Sequence, residues 1–416
     1  MALSLTTSVG HIMLKSIIRK EILLNLLSYK FSIITILSTI LILVSILVMY
    51  RDYILAMENY EILQQESKNT VAVIRPTPLS IFAKGLDENL CRSYGSGFGG
   101  QISVSSKQQS VNSLFKLFTT PDLLYIIKII LSLCAMLFTF DTICGEKETG
   151  TLRQSLSYCL KRPILIIGKW IGGFTSFVLP FFIAVLLGTI FVTLSPMVAM
   201  SAQNWVKLCL FMLSSTIYLA IFFSLGLLIS SLTHRTSTSL VLSLFVWVIL
   251  VFLIPNLGNI LARQLVRIPT VQQLELRRTQ SWVINRFKQV RTDRSEHAEM
   301  NRRLKEENDQ LTEDYRNRFN RLIKVSQNIT RISPAAAFTF LATDITGTGM
   351  MEERKLKRAV VQYLGEDRDN GKFSYQRSSI IEALGLGGLS NGLILILFNI
   401  LFFTGAYVTF LRYDAR

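Results

Sequence analysis

Six runs of apolar residues dominate the chain: 31–50, 123–143, 170–194, 206–232, 237–256 and 391–411. Each comes close to the roughly 20 residues that a helix needs to cross a hydrocarbon core. The first run, Phe31 to Tyr50, is too long for the apolar region of a secretory signal. It is followed by Met49-Tyr50-Arg51 rather than a small-residue cleavage site, so it is expected to remain as a first spanning helix. Pro180 inside the third run predicts a kink, and Lys128 and Lys207 lie near helix ends from which they can snorkel.

The polar segments carry patterns of their own. Leu14, Ile18, Ile22 and Leu26 recur every four residues, with Lys15, Arg19 and Lys20 elsewhere on the same helix. Residues 1–30 therefore read as an interfacial helix lying on the membrane. Residues 51–122 hold Pro76, Pro78 and the glycine-rich Tyr94 to Gly100, and predict a small loop module without a clear strand pattern. Between Gly258 and Gly347 there is no glycine, and between Pro269 and Pro334 no proline, which permits long helices throughout.

Within that region Thr270 and Gln273 form a capping box that starts a helix. Leu274, Trp282, Val283, Phe287 and Val290 follow, then Met300, Leu304, Leu311, Tyr315, Phe319 and Leu322 at spacings of three, four and seven. Glu299 with Arg303, Arg302 with Glu306 and Asp314 with Arg318 supply opposite charges four residues apart. The pattern fits either two helices turning near Thr292 to His297 or one helix of roughly 90 Å. Beyond Ser333-Pro334 come an alanine-rich stretch (335–342), a Thr/Gly linker, a basic helix over 351–364 and an interfacial segment over 378–386.

The class that follows is an all-α polytopic membrane protein. It has six transmembrane helices, an N-terminal interfacial helix and a large helical extracytoplasmic insertion, 257–390, between helices 5 and 6. Half of the residues are hydrophobic and only 17% are charged, which is rare in a soluble domain. The net charge of +16 would suit nucleic acid, but no binding module is recognisable. Cationic loops on the cytoplasmic side of a membrane explain it better. Lys15, Arg19, Lys20 and Lys30, then Lys147, Arg153, Lys161, Arg162 and Lys169, then Arg235, and finally Arg412 and Arg416 all fall on one side. The short loop 195–205 has no Lys or Arg, so both termini are expected in the cytoplasm. The five cysteines and three histidines have neither disulfide-framework nor zinc spacing, and no metal site is expected.

The stretch most informative about mechanism follows the second span. It reads Gly145-Glu146-Lys147-Glu148-Thr149-Gly150-Thr151-Leu152, then Lys161-Arg162-Pro163 and Gly168-Lys169-Trp170 before the third. Physically it is a short charged helix at the membrane edge between two spans, fit either to transmit force from a cytosolic partner or to serve as a solvated loop.

This stretch resembles the coupling segment of type-2 ABC transporter permeases, the subgroup of gliding-motility and nitrous-oxide-reductase-maturation permeases above all. Residues 230–240 leading to Trp247 and Pro255-Asn256, 332–349, and Phe410-Leu411-Arg412-Tyr413-Asp414 are similar to the same subgroup. The resemblance implies that segment 144–169 docks on a separate cytosolic ABC ATPase. Glu146, Lys147, Glu148, Gly150, Thr151, Leu152 and Arg153 would form or support that contact, together with Lys15, Arg19 and Lys20. The acidic pair would meet basic groups of the ATPase or pair with Lys15 and Arg19.

The resemblance also implies a second permease chain and a bacterial cytoplasmic (inner) membrane. The chain shows no Gly-x-x-x-x-Gly-Lys-Ser/Thr phosphate loop, so no cofactor is expected on it. ATP and Mg would belong to the partner ATPase. Ser132, Thr175, Ser176, Ser214, Ser215, Ser239 and Ser243 are candidates to line a substrate path, although small hydroxyl residues more often serve to pack helices.

The function expected is thus an ATP-driven ABC exporter permease. One alternative is a non-transporting scaffold whose outer helices recruit an extracytoplasmic protein partner or touch lipid head groups. Another is an ATP-independent carrier, for which no internal repeat is evident.

Overall fold

A computed structural model describes residues 2–66, 71–72, 74–91, 93–96, 102–105, 121–157, 162–291, 297–365, 373 and 375–413. Two units are present: 1–251 with 334–416, and 252–333.

Among the described residues, α1 (Ala2–Leu26) precedes six helices long and apolar enough to cross a membrane. They are α2 (Tyr29–Glu66), α3 (Leu123–Glu148), α5 (Arg162–Thr193), α6 (Ala202–Leu232), α7 (Thr236–Leu265) and α12 (Leu389–Leu411). A short helix, α4 (Thr151–Ser157), links α3 to α5, and residues 158–161, Lys161 among them, lie outside the described residues. The chain is thus a helical, multi-pass membrane protein.

The central helix is α6, which packs against α3 and α12. Its Tyr218, Phe222 and Phe223 are buried, while α5 and α12 turn Leu186, Phe191, Leu397 and Leu401 outward. Small residues set the helix spacing. Gly226 of α6 faces Thr139 of α3, and a Cβ there would also approach the Met136 Cα to 3.3 Å. Hydroxyls and indoles tie the interior together. Trp247 Nε1 donates to Ser132 Oγ (3.0 Å), Tyr218 OH to the Lys128 carbonyl (2.7 Å) and Trp170 Nε1 to Ser224 Oγ (2.9 Å). The Lys128 carbonyl sits in a π-helical turn, Ile126–Leu131, whose wider ladder suits a carbonyl that accepts from a neighbouring helix.

Of the differences from the hydropathy reading, three change the architecture. The helix that starts the first span does not stop at Tyr50 but runs to Glu66, about 57 Å in all. Residues 51–66 contain neither glycine nor proline, so nothing ends it earlier. The third span starts at Arg162 rather than 170, because Pro163 takes the first turn, where its missing N–H costs nothing.

The alanine-rich stretch is the third difference. Residues 334–346 form α10 (Pro334–Thr346), which belongs to the buried core of the first unit rather than to an insertion. It packs against α6 and α12, and Phe338 stacks on Tyr218 with ring centroids 4.4 Å apart. Ala335, Ala336, Ala337 and Ala342 give the close approach that bulkier side chains would forbid.

The segment 51–122 and the segment after α10 build one structure. A three-stranded antiparallel sheet, β1 (Val71–Ala72), β2 (Ser93–Ser96) and β3 (Ile102–Ser105), is an addition to the all-α expectation. Val71 lies opposite Gly95, and Tyr94 opposite Val104. Ile74 and Leu90 share a core with Leu356, Val360 and Tyr363 of α11 (Met350–Gly365). Arg377 stitches the two segments together, donating to Asp87 Oδ1 (2.7 Å) and to the carbonyls of Gly347 (2.7 Å) and Arg75 (3.1 Å). Lys207 is drawn into the same region. It does not snorkel but lies buried and donates to the Ser378 carbonyl at 2.9 Å.

The second unit contains the last part of α7, then α8 (Val271–Arg291) and α9 (His297–Thr330). The capping box is present: Gln273 N donates to Thr270 Oγ1 (3.3 Å) and Thr270 N to Gln273 Oε1 (3.1 Å). So are the three ion pairs, Arg303–Glu299, Arg302–Glu306 and Arg318–Asp314. Gly258 faces Thr330, Ser326 Oγ donates to Asn259 Oδ1 (2.6 Å), and Ser281 Oγ donates to Glu307 Oε1 (3.4 Å). The midpoints of these pairs all fall at residues 292–294, so α9 runs antiparallel to both α7 and α8. The region is therefore a hairpin and not one long helix; residues 292–296, where the sequence reading expects the turn, lie outside the described residues.

Two outcomes follow. Gly226→Val forces α3 and α6 apart, at a cost of about 1–3 kcal/mol typical of overpacking, and lowers the midpoint of thermal unfolding in detergent. Burial, reinforced by Asp87, pushes the Cys91 thiol pKa up. At a given pH less of it is thiolate, so iodoacetamide at pH 8 labels Cys91 slowly in the native protein and rapidly after denaturation, as peptide mass spectrometry will show.

Candidate functional site

The Gly145–Leu152 stretch lies where α1, α3, α5, α6, α7 and the end of α12 come together. The last turn of α3 (Cys144–Glu148) and α4 meet at Gly150, which has φ +75°. A Cβ at Gly150 would meet open space, so within this chain glycine is needed for its backbone conformation rather than for close approach.

Three consecutive charges reach three different helices. Glu146 Oε1 lies 2.7 Å from Lys169 Nζ of α5, and the same ammonium lies 3.2 Å from Glu21 Oε1 of α1. Lys169 is only 4% exposed, so it is a buried cation held by two carboxylates. Glu146 Oε2 is buried without a hydrogen-bond partner.

Lys147 Nζ donates to the carbonyls of Ser231 and Thr233 (3.1 Å to the latter) at the C-terminus of α6, and lies 4.8 Å above the Tyr413 ring. A cation there complements both the orphan carbonyls and the helix dipole. Glu148 Oε2 accepts from Thr236 N (2.9 Å), the complementary arrangement at the N-terminus of α7.

Flanking residues repeat the theme. Ser230 Oγ accepts from the amides of Ile143 and Cys144, both at 3.0 Å. Arg162 Nη1 donates to the carbonyls of Leu411 (2.9 Å) and Tyr413 (2.8 Å), capping α12. Lys30 pairs with Asp141. Leu152 is buried with Ile17, Ile143, Ile166, Leu227 and Phe410. What remains at the surface of the stretch is Glu148, Thr149, Gly150, Thr151, Arg153 and Gln154.

The site residues expected from sequence therefore divide. Glu146 is paired with Lys169, and Glu148 with the Thr236 amide; neither meets Lys15 or Arg19. Those two cations and Lys20 are exposed on α1, pointing away from α5. The face of α1 that meets α5 is Leu14, Ile17, Ile18, Glu21 and Asn25, seated on Gly168, Gly172 and Gly173. It is rotated from the expected stripe of Leu14, Ile18, Ile22 and Leu26. A spacing of four gains about 40° per step on a 3.6-residue helix, so by Leu26 the stripe has left the buried face. Leu26 is accordingly exposed.

Two residues central to the site, Glu21 and Lys169, carried a signal of another kind. Glu21 is the single acid in a basic and apolar segment, and Lys169 is a cation immediately before an apolar run.

Hydroxyls proposed for a path are mostly occupied. Ser132, Ser176, Ser214, Ser215 and Ser239 each donate to a backbone carbonyl. Thr175 is exposed beside Leu179, and Ser243 Oγ is buried without a hydrogen-bond partner.

Six apolar spans with a charged, helix-gripping segment between the second and third define a polytopic membrane subunit of a transporter. The chain belongs to the ABC-2 family: the model for the ABC-2 family transporter protein matches residues 16–415. It is similar to the probable ABC transporter permease protein NosY of Stutzerimonas stutzeri, 29% identical over 164 residues, which cover 38% of this chain and 54% of that one. It is also similar to the protein of the same description from Pseudomonas aeruginosa, 35% identical over 79 residues, or 19% and 26% of the two chains. The chain thus spans about a quarter to about half the length of these curated relatives.

Lys169→Met leaves Glu21 and Glu146 facing each other without a counter-charge. Breaking such a buried arrangement costs on the order of 3 kcal/mol. The yield of monodisperse protein on size exclusion should fall, and Glu21→Gln added to Lys169→Met should recover part of it.

Proposed function

We propose that this chain is the permease of an ATP-driven exporter that works as a dimer, with ATP hydrolysed on separate cytosolic ABC ATPases that hold the ATP and Mg. The observation that carries the reading is the triple grip of Glu146, Lys147 and Glu148 on α5 with α1, on α6, and on α7. A push on the exposed Thr149–Gln154 edge acts on several spans together, because each charge is tied to a different helix terminus or buried partner. A solvated loop has no need of such ties. Family membership supports an ABC ATPase as the source of that push.

The same reading places both termini in the cytoplasm of a bacterium, at the inner membrane. The run of Lys and Arg in the segments 12–30, 141–169, 233–236 and 412–416 supports it. The segments 51–122 and 257–390 then face the other side. Dimerisation is supported by the single chain itself, whose hydroxyl candidates mostly serve helix packing, so that a path is better placed between two copies than within one. What passes along it, or is extruded from the membrane, is an apolar or amphipathic solute on this reading, because the spans carry few charges.

The test is assembly with the ATPase. Thr151→Arg combined with Arg153→Glu alters only exposed side chains, so the permease should stay monodisperse. Loss of one good contact, about 1.4 kcal/mol, lowers the affinity of the ATPase for the permease about tenfold. Undiminished co-purification and ATPase activity in that double variant would show that this edge is not the docking site.

A further inference from the structure

We infer that α8 carries a docking seam for an acidic amphipathic helix of a partner protein, a site separate from the ATPase-facing edge and independent of its assignment. The argument starts from which way α8 faces. Ser281 touches Glu307 of α9 and so marks the side of α8 turned toward its own hairpin partner. At 100° per residue, Leu276, Val283 and Phe287 lie roughly 120–160° around the helix from Ser281. They are 60%, 37% and 72% exposed, so these three apolar side chains point away from the hairpin partner; Trp282 and Ile284 are exposed as well, about 100° and 60° around the helix from Ser281. Amphipathic helices normally do the reverse.

The spacing tells what kind of neighbour fits. Leu276, Gln280, Val283 and Phe287 step by four, three and four, the repeat of a seam between two paired helices. Gln280 is exposed on the same line, a polar position of the sort that fixes register. Arg277 and Arg286 border the seam on its two sides, and both are exposed. In a helix pair the residues at these bordering positions meet their counterparts across the seam and select the partner by charge.

A second copy of α8 is the poorer occupant. An antiparallel self-pair sets Arg277 and Arg286 against their own kind. Glutamates or aspartates bordering an apolar stripe on a foreign helix would pair with these arginines instead. The occupant that complements both the stripe and its border is therefore an acidic amphipathic helix.

The experiment uses the full-length protein in detergent and in nanodiscs, with two synthetic peptides of about four heptads as probes. Both have leucine at the seam positions; one has glutamate and the other lysine at the bordering positions. Fluorescence anisotropy should give saturable binding of the glutamate peptide that weakens as salt rises, and none of the lysine peptide. Phe287→Ser should weaken it at least about tenfold, as truncation of a central aromatic anchor does. Arg277→Glu with Arg286→Glu should reverse the preference between the peptides.

These positions are exposed, so the variants keep their helical circular dichroism; Leu276→Ser serves as a second variant should Phe287→Ser not. Equal binding of both peptides, or binding indifferent to Phe287→Ser and Leu276→Ser, overturns the inference. So does absence of binding of the glutamate peptide. Quantitative disulfide formation between copies of Phe287→Cys without peptide would assign the seam to a second copy instead. Burial of a fluorophore at Phe287→Cys by vesicles containing phosphatidylglycerol, in place of peptide binding, would assign it to the lipid surface.

Discussion

The proximal end of this protein depends on one buried ammonium. Lys169 sits inside α5 near its start, almost fully enclosed, and is stable there only because Glu146 and Glu21 reach it from two other helices. That requirement fixes the geometry around it. α1 must lie close enough on α5 for Glu21 to reach, which is why Gly168, Gly172 and Gly173 leave no side chain between the two helices. The last turn of α3 must end beside them, which brings Lys147 to the carbonyls of α6 and Glu148 to the first amide of α7. The charged motif is thus a set of helix-terminal connections organised around a single desolvated cation.

Two carboxylates facing one ammonium leave an excess negative charge and a carboxylate oxygen, Glu146 Oε2, without a partner. A buried ionic cluster of this kind contributes less to stability than to geometry, since apolar side chains of the same volume would fold as readily. Its use lies in making the position of α3's last turn conditional on α1 and α5. On the proposed reading, a push by an ATPase on the α4 edge would reach α1 and α5 through directional contacts rather than through a deformable apolar surface. The caps on α6, α7 and α12 extend this to the remaining helices that end here.

How much of this is legible in the sequence depends on the range of the interaction. Local patterns translate directly. The Thr270–Gln273 capping box and the three pairs four residues apart on α9 are present because helix geometry alone brings those side chains together. The six spans follow from run length, a property of composition. Contacts that join distant segments leave no periodic trace. Arg377 meets Asp87 across 290 residues, and Lys169 meets Glu21 across 148. The place of α10 in the core was hidden for a related reason. Its alanines have too little hydrophobic weight to register as a span, yet their small size is what lets them pack against α6 and α12. The stripe on α1 failed because a spacing of four only approximates a helical face over three turns.

The two units illustrate opposite solutions to the problem of an apolar helix face. In the first unit the faces of α6, α3 and α10 are covered by one another, and the Tyr218 hydroxyl and Ser132 Oγ inside find carbonyl or indole partners. In the second, α9 covers the end of α7 through Gly258 and Asn259, while α8 turns its heptad stripe outward. An exposed Phe287 beside an exposed Val283 is costly in water, and the short α8, about 31 Å long, has no propensity advantage to offset it. Their arrangement at helix-pairing intervals, with Arg277 and Arg286 on the two sides, suits the docking seam inferred above.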